Sequence, residues 1–459
     1  MFNFKTLKLT KRCDSESTNS FVGIRRNENG EVEFRLPHGF DDFPENDFEA
    51  TKDLFFKMYR TFKKFERDNW RPNILDTRSA GKDQVQKEKD GYRFKNKEDT
   101  EVVLYSKIAL IENLLDVYRD LALDQMERRI GADEKVDYSK IDRYLDRAIY
   151  LPNDVIYIDE MDLPRQTLRY ESTTLIDLFC FIVSELQNEL EQDIEPRVQE
   201  LAHRFSEQHL SHEESLFNEE TFETTICTLK NVLDEIDKRT AYKDEDYWRL
   251  YEAIEMFLYG ELDMYNPHEN GIYWGIKDFS SVWEDMCATW AFATYDNNSI
   301  LYADTNIVFN GKSVANAKSA GYFPIYKKED FVDPFFIEFR GKKRWMRPDF
   351  ISGNFEQDAV LFEMSDWKYM DKKFFITYNK KVQLDVTKQF CYEFALRKLK
   401  QKFFVTTLFI QCFCIPKFST ENDIFSFWNH DDIHPRIQYK ITVIQANFSK
   451  IQQIYLTHD

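Results

Sequence analysis

The chain has 459 residues and a formal charge of −19, with 42% hydrophobic and 16% aromatic residues, among them 41 Phe and 24 Tyr. That length exceeds one ordinary hydrophobic core, so two or three domains are expected, and so much apolar material excludes disorder over any large fraction. The acidic total rules out a uniformly basic surface, so any contact with a polyanion must be local.

The seven Cys have no paired spacing except Cys412-Phe-Cys414, which strand alternation places on one face as buried free thiols. No apolar run is long enough to span a bilayer, and the leading residues Met1 to Lys8 lack a signal-peptide apolar core. A soluble intracellular protein with reduced thiols is therefore expected.

In chain order, residues 1–45 read as strand-rich. Val22-Gly-Ile and Val32-Glu-Phe flank Asn27-Glu-Asn-Gly30, a hairpin signal, and Leu36-Pro-His-Gly-Phe40 then breaks the alternation. The stripe Leu54, Phe55, Met58, Tyr59, Phe62 and Phe65 predicts a helix over 48–68. The polar, charge-mixed stretch 71–100 reads as a mobile loop, and 102–128 as a helix. Short strands are expected near 149–151 and 155–158, then long helices over 174–210 and 219–262 with acidic outer faces. A break at 263–275 closes this first region. The helix Phe279–Trp290 follows, then strand-like pieces at 300–310 and 333–340. A pair of strands carries the charged motifs, a second helix spans 385–401, and strands close the pattern at 403–416 and 438–446. The expected division is a β-plus-helical (α+β) interaction region over 1–262 and an α/β domain with a mixed sheet over 263–459.

The chemistry concentrates in that second part. Pro348-Asp349 enters one strand, a turn follows at 352–357, and the apolar run from Ala359 leads to Asp366-Trp367-Lys368. Alternation places Asp366 and Lys368 on one face, about 7 Å apart along the strand. Asp349 and Asp366 could share a Mg²⁺, while Lys368 lowers the cost of forming hydroxide or stabilises extra phosphate charge. Glu363 competes as a carboxylate, but its odd offset of three turns it to the other face. Between residues 341 and 400 there are 13 Lys/Arg against 8 Asp/Glu, a balance of +5 that leaves −24 on the rest of the chain. Within this window Arg344, Arg347, Lys372, Lys373 and Lys388 are the expected DNA-phosphate contacts.

Together these residues resemble the PD-(D/E)xK nuclease superfamily, and within it the McrC-like restriction subunits, including the LlaJI-type endonucleases. The matching residues are Trp283-Glu284, Arg347-Pro348-Asp349, Asp366-Trp-Lys368-Tyr369 and Asp385-Val-Thr-Lys-Gln389 running on to Tyr392-Glu393. The likeness covers roughly 279–416; before that it rests on Phe21-Val-Gly23 and Leu36-Pro-His-Gly-Phe40. Trp367 departs from it, because a small residue is more usual there. The resemblance implies a restriction-endonuclease-like mixed sheet flanked by helices, and a Mg²⁺-dependent endonuclease able to use Mn²⁺. Asp349, Asp366 and Glu284 would be metal ligands, Lys368 would polarise the attacking water, and Gln389 would hold Lys368 or a phosphate. It further implies double-stranded DNA as substrate, an AAA+ GTPase or ATPase motor as partner, a prokaryotic cytoplasmic setting, and assemblies that include homo-oligomers. No Gly-x-x-x-x-Gly-Lys-Ser/Thr occurs among the 13 Gly, so NTP hydrolysis would have to come from a second protein. A stand-alone repair, recombination or transposition nuclease and a catalytically silent DNA-binding scaffold remain the alternatives.

Overall fold

The computed structural model describes residues 4, 7–11, 21–69, 86–88, 91–95, 101–120, 133–136, 138–152, 155–158, 165–168, 172–240, 245–260, 267–268, 271–295, 299–303, 308–309, 312–313, 336–339, 342–345, 348–356, 359–400, 406–427 and 441–458. The chain forms two compact units. One holds Ile108–Met264, and the other joins Phe4–Lys107 to Tyr265–Asp459. The expected boundary near 262 is thus one of two crossings: Phe4–Lys107 belongs with the C-terminal half.

The joined unit begins with β1 (Lys8–Thr10), β2 (Val22–Arg26) and β3 (Val32–Arg35), followed by helix α1 (Phe48–Asn69). The hairpin at Asn27–Gly30 forms as its composition predicts: the Asn27 N–H donates to the Glu31 carbonyl at 2.8 Å and the Gly30 N–H to Asn27 at 3.0 Å. Three further strands, β4 (Gln86–Glu88), β5 (Gly91–Lys95) and β6 (Glu101–Tyr105), follow. They correct two expectations. The 71–100 stretch, read as a loop from its charge, contributes two strands, and 102–128 opens with a strand before turning helical. Of these two, β4 is the edge of its sheet, where only one side of the ladder is paired, and β5 lies between β4 and β6.

The first unit's helices are α2 (Ala109–Asp120), α3 (Ser172–Glu189), α4 (Pro196–His209), α5 (Phe222–Arg239) and α6 (Glu245–Tyr259). Each of the two long helices expected here is a pair. Pro196 sits at the first turn of α4, where its missing N–H costs nothing, and so ends the preceding run. Asp177 and Arg204 join α3 to α4 through a two-pronged ion pair at 2.5 and 2.7 Å. A small hairpin of Ile149–Leu151 and Val155–Tyr157 forms as expected.

The chain then returns to the joined unit with β7 (Ile272–Ile276), α7 (Ser280–Thr294), β8 (Ile300–Ala303), β9 (Phe350–Glu356), β10 (Ala359–Trp367), α8 (Lys380–Lys400), β11 (Thr406–Lys417), β12 (Phe425–Phe427), β13 (Ile441–Asn447) and α9 (Phe448–Thr457). Strand β7 inserts into the N-terminal sheet, giving the order β1-β3-β2-β7-β6-β5-β4. Gly23 and Gly275 face each other there, with φ of +134° and +131°; a Cβ on Gly275 would lie 2.2 Å from the Val22 carbonyl oxygen. Only glycine permits that approach. Trp274 is fully buried beside this crossing, its ring 5.0 Å from Phe62 and 5.4 Å from Phe55 of α1. This explains the domain boundary, since α1 and β7 share one aromatic core.

A second sheet carries the motif strands in the order β8-β9-β10-β11-β13-β12. Strands β8, β9 and β10 run antiparallel in sequence, while β10, β11 and β13 are mutually parallel. The parallel step needs a crossover, and α8 supplies it. Leu301, Ile351, Phe362 and Met364 pack against Tyr392, Ala395 and Leu396 of α8. The opposite face is covered from α7 and α9, whose Trp283 and Phe448 rings stack at 5.9 Å. Helix α1 also reaches this layer: Gln452 of α9 donates to Thr61 at 3.0 Å, and Asn69 donates to Asp285 of α7 at 2.8 Å. The expected α/β class with a mixed sheet flanked by helices is what forms. No helix among the described residues is long and apolar enough to cross a membrane.

Replacing Trp274 with Ala is expected to lower the unfolding free energy of the joined unit by about 3–5 kcal/mol, measured by urea denaturation. A loss below about 1 kcal/mol would contradict the shared core.

Candidate active site

The β9–β10 hairpin pairs Phe350 with Ser365, so Asp349 at the start of one strand and Asp366 near the end of the other meet at the same end of the sheet. Both are 3% exposed. One Asp349 oxygen accepts the Trp367 N–H at 2.7 Å, which ties the first motif to the second through the backbone. The Trp367 side chain is directed to the other face, stacked on Phe350 at 5.7 Å. The bulky departure at this position is thereby accommodated in the core.

Lys368 lies one residue beyond β10 and keeps its register because its N–H donates to the Cys414 carbonyl at 2.8 Å. Its ammonium reaches Asp366 at 2.9 Å and Asp385 of α8 at 3.6 Å. The expected pairing of Asp366 and Lys368 on one face is present. Glu363 points away and accepts from the Tyr295 hydroxyl at 3.0 Å.

Asp385 enters because α8 starts at this end of the sheet. Asn379 caps the helix by accepting the Val382 N–H at 2.9 Å, after Tyr378 turns through a left-handed φ of 48°. Asp385, Gln389 and Glu393 recur every four residues and make a buried polar seam along α8. Glu393 accepts from Gln411 at 2.6 Å. Asp385 therefore holds Lys368, and Gln389, expected to hold Lys368 or a phosphate, lies one turn further along α8. The i, i+4 spacing of Asp385 and Gln389 was the available signal, but it does not rank the two. Gln389 is 1% exposed, and its side-chain oxygen has no hydrogen-bond partner.

Three buried carboxylates around one ammonium set the electrostatics. Burial pushes the Asp366 carboxyl well above its ordinary value; Lys368 opposes this, while Asp349 and Asp385 add to it. For Lys368, burial pulls the pKa down, but the pull of Asp366, Asp385 and Asp349 outweighs it and holds the ammonium above the usual lysine range. Lys368 is thus a fixed positive charge and not a proton acceptor near neutral pH.

With the carboxyls ionised, one oxygen each of Asp366 and Asp385 is buried with no hydrogen-bond partner. Orphaned carboxylate oxygens are costly unless something cationic meets them, and hard oxygen donors suit Mg²⁺. The residues present fit such an ion, with Asp349 and Asp366 as its holders. Among the described residues no three His, Cys, Asp or Glu side chains converge as a complete metal centre.

The remaining expected residues fall into different places. Glu284 is half-buried on α7, and it acts together with Asp349 on the Cys287 thiol one turn further along; burial, then a hydrogen bond with Cys414, push that thiol's pKa up. Lys372 and Lys373 are exposed in the connection that leaves Lys368 for α8. Lys388 is half-exposed and pairs with Asp385 at 3.2 Å. Arg344 lies in a short strand paired with Phe336–Phe339, and Arg347 lies outside the described residues.

Comparison with protein-family models, curated proteins and solved structures finds no match.

Because the folded pKa of Asp366 is raised, the folded state binds its proton more tightly than the unfolded chain, and stability is lost as pH rises through the ordinary carboxylate range towards that raised value. Asp366→Asn is therefore expected to melt above wild type at pH 8, with the gap narrowing towards pH 4. Lys368→Met, which leaves the carboxylates uncompensated, is expected to cost about 3–5 kcal/mol at neutral pH. Thermal melts across this pH range test both, and an Asp366→Asn protein less stable than wild type at pH 8 would refute the argument that the buried, charged carboxyl costs stability.

Proposed function

We propose that this chain is a Mg²⁺-dependent DNA endonuclease of the PD-(D/E)xK type, the cleaving subunit of a McrC-like or LlaJI-type restriction or anti-phage system. One observation carries the reading. Asp349, Asp366 and Lys368, separated in sequence, come together at one end of a mixed sheet with a buried carboxylate oxygen left to meet a cation. Structural ion pairs rarely leave such an oxygen unmet, because removing it from water without a partner costs stability.

In this reading Asp349 and Asp366 hold the ion, which when bound would supply Lewis acidity for water and phosphate. The Trp367 N–H fixes the Asp349 carboxylate, so it is aimed without conformational search. Lys368, permanently charged, is set to stabilise negative charge developing on the phosphate oxygens. Asp385 orients that ammonium and limits its motion. Exposed Lys372, Lys373 and Lys388 would meet the DNA backbone as a rim around the buried carboxylates. The acidic remainder of the chain and the absence of a phosphate-binding loop fit a partner AAA+ motor that delivers the DNA.

Purified protein should cut double-stranded DNA in Mg²⁺, alone or with NTP and its motor, and lose cutting in chelator. Asp349→Ala and Lys368→Ala are each expected to lower kcat by about 10²–10³-fold. Full cleavage and full phage protection by both variants would overturn the proposal, and cleavage by the lone chain on plain DNA would favour a stand-alone nuclease.

A further inference from the structure

The segment Leu36–Phe40 follows β3 in the N-terminal sheet, yet it lies against the carboxyl ends of the motif strands. The His38 N–H donates to the Tyr369 hydroxyl at 3.0 Å, and the two rings are 4.6 Å apart. The Gly39 carbonyl accepts the Phe418 N–H at 2.9 Å. The Phe40 ring sits 5.2 Å from Phe418 and 5.0 Å from Phe448. Three consecutive residues thus touch the chain just past β10, β11 and β13. Gly39 has φ +80°, and a Cβ there would lie 2.2 Å from the Pro416 carbonyl oxygen and 2.9 Å from the Lys417 Cα. The loop is pressed backbone to backbone against the end of β11, an approach that any side chain at 39 would prevent.

What this contact secures follows from where Lys368 sits. Its ammonium stands on a flexible four-carbon stem, and its backbone lies beyond the last residue of β10. The next residue is Tyr369, whose ring also packs on Phe279 at 5.1 Å. A strand end that is tied down at one amide frays easily, and a misplacement of about 1 Å at a reacting site can cost about 10²-fold in rate. The phenol of Tyr369 turns the residue after Lys368 into a second anchor, and the loop supplies its partner.

We propose that His38, Gly39 and Phe40 form a positioning latch. By holding Tyr369 and the end of β11, they fix the backbone at Lys368 so that its ammonium stays between Asp366 and Asp385. The rate consequence rests on the nuclease reading above; the structural consequence does not. His38 and Tyr369 are positioning residues here, since the contact runs through backbone and phenol and not through substrate.

Two variants test the latch. Tyr369→Phe removes only the hydroxyl and is expected to lower kcat for DNA cleavage about tenfold while KM stays at the wild-type value. Gly39→Ala forces the loop off β11 and is expected to lower kcat about 10²-fold. Hydrogen exchange read by mass spectrometry supplies the second readout: in both variants the amides of Trp367–Met370 should exchange faster, while those of β9 and α8 keep wild-type rates. Unchanged cleavage in Tyr369→Phe, or faster exchange spread evenly over the whole unit, would overturn the latch in favour of a loop that merely adds stability. Should wild type not cut DNA with Mg²⁺ under any condition, the nuclease reading falls, and the exchange pattern alone decides the latch.

Discussion

Three carboxylates taken out of water gather around the Lys368 ammonium, and Lys388 meets only one of them, Asp385, from the helix surface. Asp349, Asp366 and Asp385 are each 3% exposed, and Lys368 contacts the latter two directly. Coulomb attraction at these distances is strong where the effective dielectric is low, but so is the cost of desolvating each charge. At Asp366 burial outweighs the attraction of Lys368 and, with Asp349 and Asp385 adding to it, pushes the carboxyl upward. A fold seeking only stability would fill this position with apolar side chains. Retaining unmet carboxylate oxygens at the end of an otherwise apolar sheet is the kind of sacrifice that functional sites make.

The backbone architecture makes that concentration of charge possible. An antiparallel hairpin joins the start of one strand to the end of the next, so two carboxylates distant in sequence become cross-strand neighbours. The parallel step from β10 to β11 then requires a crossover, and the crossover helix begins where β10 ended. Its second turn delivers Asp385 to the same place. The carboxyl end of parallel strands is where α/β sheets gather ligands for this same reason, since connecting loops and helix starts converge there. In this chain the convergence includes a loop from the N-terminal sheet, which reaches Tyr369 directly after the lysine.

The same considerations account for the division of the molecule. Phe4–Lys107 is not an appendage to the C-terminal half. Strand β7 completes the N-terminal sheet, Trp274 and the aromatic face of α1 bury one another, and α1 also bonds to α7 and α9. The helical region of Ile108–Met264 is an insertion between two parts of one unit.

Local patterning was enough to read much of this. Alternation predicted the Asn27–Gly30 hairpin and the shared face of Asp366 and Lys368, and it turned Glu363 away; the apolar stripe predicted α1. These are properties of a residue and its near neighbours, where backbone period dictates direction. Charge misled the reading at 86–95, where two short strands end the N-terminal sheet through backbone pairing that side-chain charge does not report. Length misled it at 102–120, where a strand and a helix share one apolar run. The boundary at 107 and the choice of Asp385 over Gln389 as the lysine's partner were out of reach. Both depend on long-range packing: which strand inserts into which sheet, and how far a helix start lies from a strand end. Periodicity gives the face on which a side chain stands, but which charges meet across that face is settled by the crossover that stacks α8 on the sheet.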